Sequence, residues 1–82
     1  MHNAEQRLQE IIMNQLAMDE SQWDPDQQLF EIADSLDLVE IITDLEAELS
    51  LDIDDETVGE ALRCRTFGEL TEFLLPLTGA VL

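Results

Sequence analysis

Apolar residues recur at helical spacing in three stretches of this chain. In the first, Ala4, Leu8, Ile11, Ile12 and Leu16 share one side of a 3.6-residue helix, which predicts an element from about Ala4 to Met18. Asn3 stands before it as a capping residue, with Gln6 three positions on as in a capping box. The second pattern is the strongest. From Ser35 to Leu49 there is no Gly or Pro, and Leu38, Ile41, Ile42, Leu45 and Leu49 fall within one sector of about 100° on the helical wheel. Asp34 occupies the N-cap position. The third pattern, Phe67, Leu70, Leu74 and Leu77, belongs to a helix opening at Thr66. Glu69 completes a capping box there, and Pro76 is expected to end the helix. A short helix from Asp54 or Asp55 to Leu62, weakened by Gly59, is expected between the last two.

The stretch from Asp19 to Ala33 has no sustained period and contains the turn signal Asp24-Pro25-Asp26. It reads as a long loop pinned by Trp23, Leu29, Phe30 and Ile32. A connection of ~15 residues inside a compact domain is unusual and often functional. No alternation of useful length suggests a strand. The predicted fold class is all-α, a four-helix bundle of three main helices and one short helix with a long first loop. Residues 1–82 are expected to form a single domain.

Composition narrows the chemistry. Twenty acidic residues against three arginines, with no lysine, leave a net charge of -17 in 82 residues. Such a surface repels phosphate backbones and anionic headgroups, so nucleic acid and membrane are excluded as partners and basic proteins are expected. With 45 % hydrophobic residues at regular spacings, the chain is expected to fold rather than stay disordered. Cys64 is the lone cysteine, which removes internal disulfides and cysteine-based metal sites. His2 is the lone histidine, so a Ser-His-Asp or Cys-His set would have to use a residue at the chain's very end, and none is expected. No apolar run approaches the ~20 residues of a membrane span. The N-terminus lacks a signal-peptide pattern, so a cytoplasmic monomer is expected. The run Asp52-Ile53-Asp54-Asp55-Glu56 fails as a calcium loop, because Thr57 and Arg63 stand where Gly and Glu are required. Cys64 lies between Arg63 and Arg65, which would favour its thiolate, although a cysteine near a helix end is more commonly a packing residue.

The helix from Ser35 carries the functional signal. Asp37, Glu40, Asp44 and Glu48 make one acidic stripe along it. Beside the stripe, Leu36 and Val39 point away from the core sector, with Thr43 and Ala47. Apolar residues edged by carboxylates make a small docking patch. Ser35 lies at its origin, either as the N-cap or, with Asp34 capping, at the first helical position with its hydroxyl in solvent. No acid or base in the sequence pairs with it as a self-activated nucleophile would require. It reads as a residue that another enzyme modifies.

The segment Asp34-Ser35-Leu36-Asp37, followed by Val39-Glu40, resembles the Asp-Ser-Leu motif of acyl carrier proteins. The resemblance covers roughly residues 4 to 75. It includes the apolar first helix, the long loop, Leu45-Glu46-Ala47-Glu48-Leu49 with Ile53, and Thr66-Phe67-Gly68-Glu69-Leu70. It implies a carrier, not an enzyme, in which Ser35 bears 4′-phosphopantetheine derived from coenzyme A and acyl groups ride as thioesters. It further implies partner contacts at Asp34, Leu36, Asp37, Val39, Glu40, Asp44, Glu48 and Ile53. The partners would be a phosphopantetheinyl transferase and acyl-transferring or synthase enzymes with basic docking patches. An acyl cavity lined by Ile41, Ile42, Leu45, Ile53, Ala61 and Leu62 would lie between the second helix and the short third one. The sequence departs from the family in three places. No glycine precedes Asp34, Asp54 replaces a frequent proline, and Arg63-Cys64-Arg65 is unusually basic. The Gly-Gly-[His/Asp]-Ser pattern of peptidyl carriers is absent. These departures from housekeeping fatty-acid carriers favour a free-standing carrier of a specialised pathway, such as polyketide or modified-lipid synthesis, and fatty-acid synthesis stays open beside it. The competing reading is an unmodified acidic helical adaptor that binds a basic partner.

Overall fold

The computed structural model describes residues 4–79, with the side chains of residues 5–77. The order of elements is α1 (Ala4–Leu16), a 3₁₀ turn (Glu20–Gln22), α2 (Leu29–Ile32), α3 (Ser35–Leu49), α4 (Asp55–Ala61) and α5 (Phe67–Gly79). Among the described residues no strand forms. Helix α1 packs on both α3 and α5, and α4 bridges α3 and α5. The predicted stripes meet in one core: Leu8, Ile11 and Ile12 from α1, all five apolar positions of α3, and Phe67, Leu70 and Leu74 from α5 are buried. Each is lined up by its helical period, so burial follows from sequence spacing once the helices pack.

The helix ends show where local chemistry overrules the pattern. Helix α1 stops at Leu16, two residues before the expected end, because Ala17 turns to φ 54° and the Met18 N–H donates to the Met13 carbonyl at 2.9 Å. That left-handed closure satisfies a carbonyl that the helix would otherwise leave open. Ser50 ends α3 in the same way, at φ 54°. The expected cap at Asn3 lies outside the described residues. Helix α4 is capped by Asp54, whose Oδ1 accepts from the Thr57 N–H at 2.8 Å. Hydrogen bonds from Thr57 hold the Asp54 carboxyl below its ordinary pKa. The cap is therefore complete above the usual carboxylate range and weakens as pH falls through that lowered value.

Two expectations about α5 change. The helix does not end at Pro76 but runs on to Gly79. The proline removes one bond to the carbonyl of Glu72, a residue that is exposed, so water can serve that group. Leu77 is not core; it lies at the surface. The Thr66–Glu69 box forms by half. Thr66 Oγ1 accepts from the Glu69 N–H at 3.1 Å, while the Glu69 carboxylate takes the Arg65 N–H at 3.3 Å in place of Thr66's own.

The connection from α1 to α3 is ordered and contains two short helical turns. Asp19 caps the first, its Oδ1 accepting from the Ser21 N–H at 2.8 Å and from the Ser21 hydroxyl. These bonds, the hydroxyl's foremost, lower the Asp19 pKa. The middle of the connection is strapped to the start of α5. The Gly68 N–H donates to the Pro25 carbonyl at 2.9 Å, Phe67 N–H to Gln27 at 3.2 Å, and Leu29 N–H to Arg65 at 2.7 Å; Gln28 and Thr66 form an isolated bridge. Trp23 stacks obliquely on Phe67, ring centroids 5.3 Å apart. Leu29 is buried as expected, but Phe30 and Ile32, expected to pin the loop, are each 45 % exposed. Helix α2 is one turn long and can bury one side only, and that side is occupied by Leu29.

Gly59 and Gly68 give opposite predictions. A Cβ on Gly68 would lie 3.0 Å from the Pro25 carbonyl oxygen, a backbone atom held by the strap. A Cβ on Gly59 would meet nothing within 4 Å. Gly68→Ala should therefore destabilise by about 1 kcal/mol or more. Gly59→Ala should stabilise by about 0.5–1 kcal/mol. Urea melts of both variants, followed by helical circular dichroism, check the pair.

Candidate functional site

The site is the junction between α2 and α3. Asp34 is extended, at φ -108° and ψ -179°, and caps α3. Its Oδ1 accepts from the Asp37 N–H at 2.9 Å, and Asp37 Oδ2 accepts from the Asp34 N–H at 3.1 Å. This closed box settles the choice that the sequence left open. Asp34, not Ser35, is the N-cap. Ser35 is the first residue of the helix, exposed, and its hydroxyl makes no hydrogen bond among the described residues. The hydroxyl is free because its neighbour has taken over the capping role.

Around Ser35 the α3 surface is laid out as the wheel predicts. Leu36 is 65 % exposed and Val39 39 %; Thr43 and Ala47 share their exposed side. The acidic stripe is less uniform than its spacing suggests. Asp37 is held in the box. Glu40 accepts a hydrogen bond from the Gln15 amide at 2.6 Å, and Glu48 pairs with Arg7 at 3.6 Å. Both tie α3 to α1. Asp44 is exposed, without such a bond among the described residues. The exposed apolar surface extends beyond the predicted patch to Phe30 and Ile32 on α2. Sequence reasoning placed those two inward. A four-residue helix has too short a period to reveal its outer side.

The six residues assigned to an acyl cavity divide into two groups. Ile41, Ile42, Leu45 and Ala61 are buried in the core. Ile53 and Leu62 are half-buried at its edge. Ile53 donates its N–H to Glu46 Oε2 at 2.8 Å and lines a groove of about 130 Å³ with Leu51, Thr57 and Leu77. Leu62 lines a different groove, of about 420 Å³, with Phe30, Arg63, Cys64 and Arg65. The Cys64 thiol is pushed up rather than down in pKa: burial disfavours its thiolate, and Glu69 adds to the effect. The flanking arginines do not activate it.

A phosphopantetheine attachment site model matches residues 6–74 of the chain. The acyl carrier protein of Rubrobacter xylanophilus is 39 % identical over 72 residues, covering 85 % of this chain and 85 % of that protein. The chain belongs to the family of acyl carrier proteins defined by that attachment site, proteins that carry rather than catalyse and whose prosthetic group is 4′-phosphopantetheine. A free, exposed serine hydroxyl at a helix start fits such an attachment. The group supplies a terminal thiol on which acyl chains are held as thioesters.

The division of labour between Asp34 and Ser35 makes a stability prediction. Asp34→Ala should cost about 1 kcal/mol by removing the cap. Ser35→Ala should change stability by less than about 0.5 kcal/mol, because no folded-state bond is lost. Thermal or urea melts of the two variants check the order.

Proposed function

We propose that Ser35 is the attachment residue and that the chain carries acyl intermediates of polyketide, specialised-lipid or fatty-acid synthesis. The observation that carries this reading is the unbonded Ser35 hydroxyl beside a cap built wholly from Asp34 and Asp37. Neither nearby carboxylate is hydrogen-bonded to the Ser35 hydroxyl, so the serine has no base paired with it among the described residues. The base must come from the modifying enzyme, a phosphopantetheinyl transferase. That enzyme and the later acyl-transferring partners would meet Leu36 and Val39 at short range, guided by basic patches toward Asp37, Glu40, Asp44 and Glu48. Ile53 and Asp34 flank this surface. Long-range attraction of this kind speeds encounter and fades as salt shortens the Debye length to ~8 Å. The unmodified adaptor reading has no observation of its own in its favour.

Incubation with a transferase and coenzyme A, followed by intact mass, tests the assignment. Wild type should gain one phosphopantetheine and Ser35→Ala none, with Ser21 and Ser50 untouched; a modified alanine variant rejects it. Loading of wild type should slow as ionic strength rises.

We further propose that an apolar cargo enters between α3 and α4, among Ile41, Ile42, Leu45, Ile53, Ala61 and Leu62. Of the four longer helices α4 is the easiest to displace, since Ala61 is its one buried residue. Each CH₂ transferred from water is worth roughly 0.8 kcal/mol at most. Melting midpoints of a series of saturated acyl forms should rise with chain length and then level off. A flat series would place the chain in solvent.

A further inference from the structure

Two of the chain's three arginines, Arg63 and Arg65, border the groove between α2 and the α4–α5 turn. Both side chains are exposed, and neither has an ion pair among the described residues. The third, Arg7, is engaged with Glu48. On a surface of net charge -17, this corner is where a small anion meets attraction rather than repulsion. The groove offers about 420 Å³. Phe30 and Leu62 line it beside the two arginines, and Cys64 adds a thiol kept neutral by burial and Glu69. Its one carboxylate, Glu31, accepts a bond from the Gln27 amide at 3.3 Å.

The corner is fixed in reach of Ser35. The Leu29 N–H bonds to the Arg65 carbonyl at 2.7 Å, and Gln28 pairs with Thr66, so α2 and the arginine turn are held together. From Leu29 the chain rises about 1.5 Å per residue to Ile32. Three further steps, of at most ~3.6 Å each, then reach Ser35, so Leu29, the residue bonded to Arg65, lies at most ~15 Å from Ser35 along the chain. A phosphopantetheine arm has about as many chain atoms as an extended peptide of four to five residues, which is ~15 Å. A tethered group that can span the distance is present at millimolar effective concentration, so a weak site suffices.

Resting on the assignment of Ser35, we propose that Arg63 and Arg65, with Phe30 and Leu62, form a surface subsite for a carboxylate at the free end of the tethered acyl group. A guanidinium matches a carboxylate in two parallel hydrogen bonds, while the apolar walls take the methylenes before it. A charged end cannot enter the core without a large desolvation cost. The subsite thus gives carboxylated cargo a resting place distinct from that of apolar chains.

The test uses coenzyme A alkylated on its thiol to end in either a carboxymethyl group or the isosteric carbamoylmethyl group. Both are stable, and mass confirms loading. Failure to load would count against Ser35 as the attachment residue, not against the subsite. In the loaded chains, the Nε–H resonances of Arg63 and Arg65 and the ring of Phe30 should shift with the carboxylate arm and not with the amide arm. Arg7 serves as the internal control. The double variant Arg63→Gln/Arg65→Gln should load normally and reduce the bound fraction about two- to fivefold, as expected of exposed ion pairs. Identical spectra for the two arms, or shifts that include Arg7 equally, overturn the proposal. So does a free acidic peptide that shifts the corner when the tethered carboxylate does not, since the arginines would then belong to a protein partner.

Discussion

The backbone strap between residues 25–29 and 65–68 is the constraint on which the site depends. The carbonyls of Pro25 and Gln27 accept from Gly68 and Phe67, and the Leu29 N–H returns the connection to Arg65. A segment with no helical period would otherwise wander, since ordering it costs conformational entropy with little local gain. Tied to the start of a core helix, it delivers Leu29 into the core and turns the following residues outward. The cap at Asp34 follows at a defined place, and Ser35 with it. Trp23 on Phe67 covers the strap from one side, where Gly68 has no side chain to keep the Pro25 carbonyl at a distance.

Capping links stability to function at the next level. A helix start leaves N–H groups without partners, and some residue must accept from them. Had Ser35 served, its hydroxyl would be bound in the fold and any modification would compete with folding. Asp34 and Asp37 close a reciprocal pair instead. The exposed Ser35 hydroxyl is therefore held in position by bonds it does not itself make. The same two carboxylates add to the negative surface around Ser35.

Charge is distributed with more structure than its total implies. A net charge of -17 destabilises the compact state by self-repulsion. Several carboxylates are used to offset this locally. Asp19, Asp34 and Asp54 cap helical turns, Glu46 accepts from the Ile53 N–H, and Glu40 and Glu48 reach across to α1. Individually these surface contacts are weak. The three capping aspartates place negative charge at helix starts, where the peptide dipoles favour it. The guanidinium groups of the two arginines beside α2 stand apart from this arrangement, with no ion pair among the described residues.

Spacing along the chain determined the helices, their inward sides and the outward pair Leu36 and Val39, because a 3.6-residue period and a hydrophobic core leave little choice over fifteen residues. The motif at Asp34-Ser35-Leu36 and the family it indicates were also legible, since they reside in adjacent residues. Tertiary structure alone decided the rest. The outward turn of Phe30 and Ile32 depends on a single-turn helix whose direction is set by hydrogen bonds to distant residues, from Leu29 to Arg65 and from Phe67 to Gln27. The passage of α5 through Pro76 depends on whether the carbonyl that loses its bond faces water. The protonated state of Cys64 follows from burial and Glu69, where its two sequence neighbours suggested the opposite. The choice of Asp34 over Ser35 as cap was open in the sequence because both residue types cap well; only the closed pair with Asp37 resolves it. In each case the deciding contact lies beyond the period of a helix or between groups whose chemistry is equally suited, and such choices are made by three-dimensional packing.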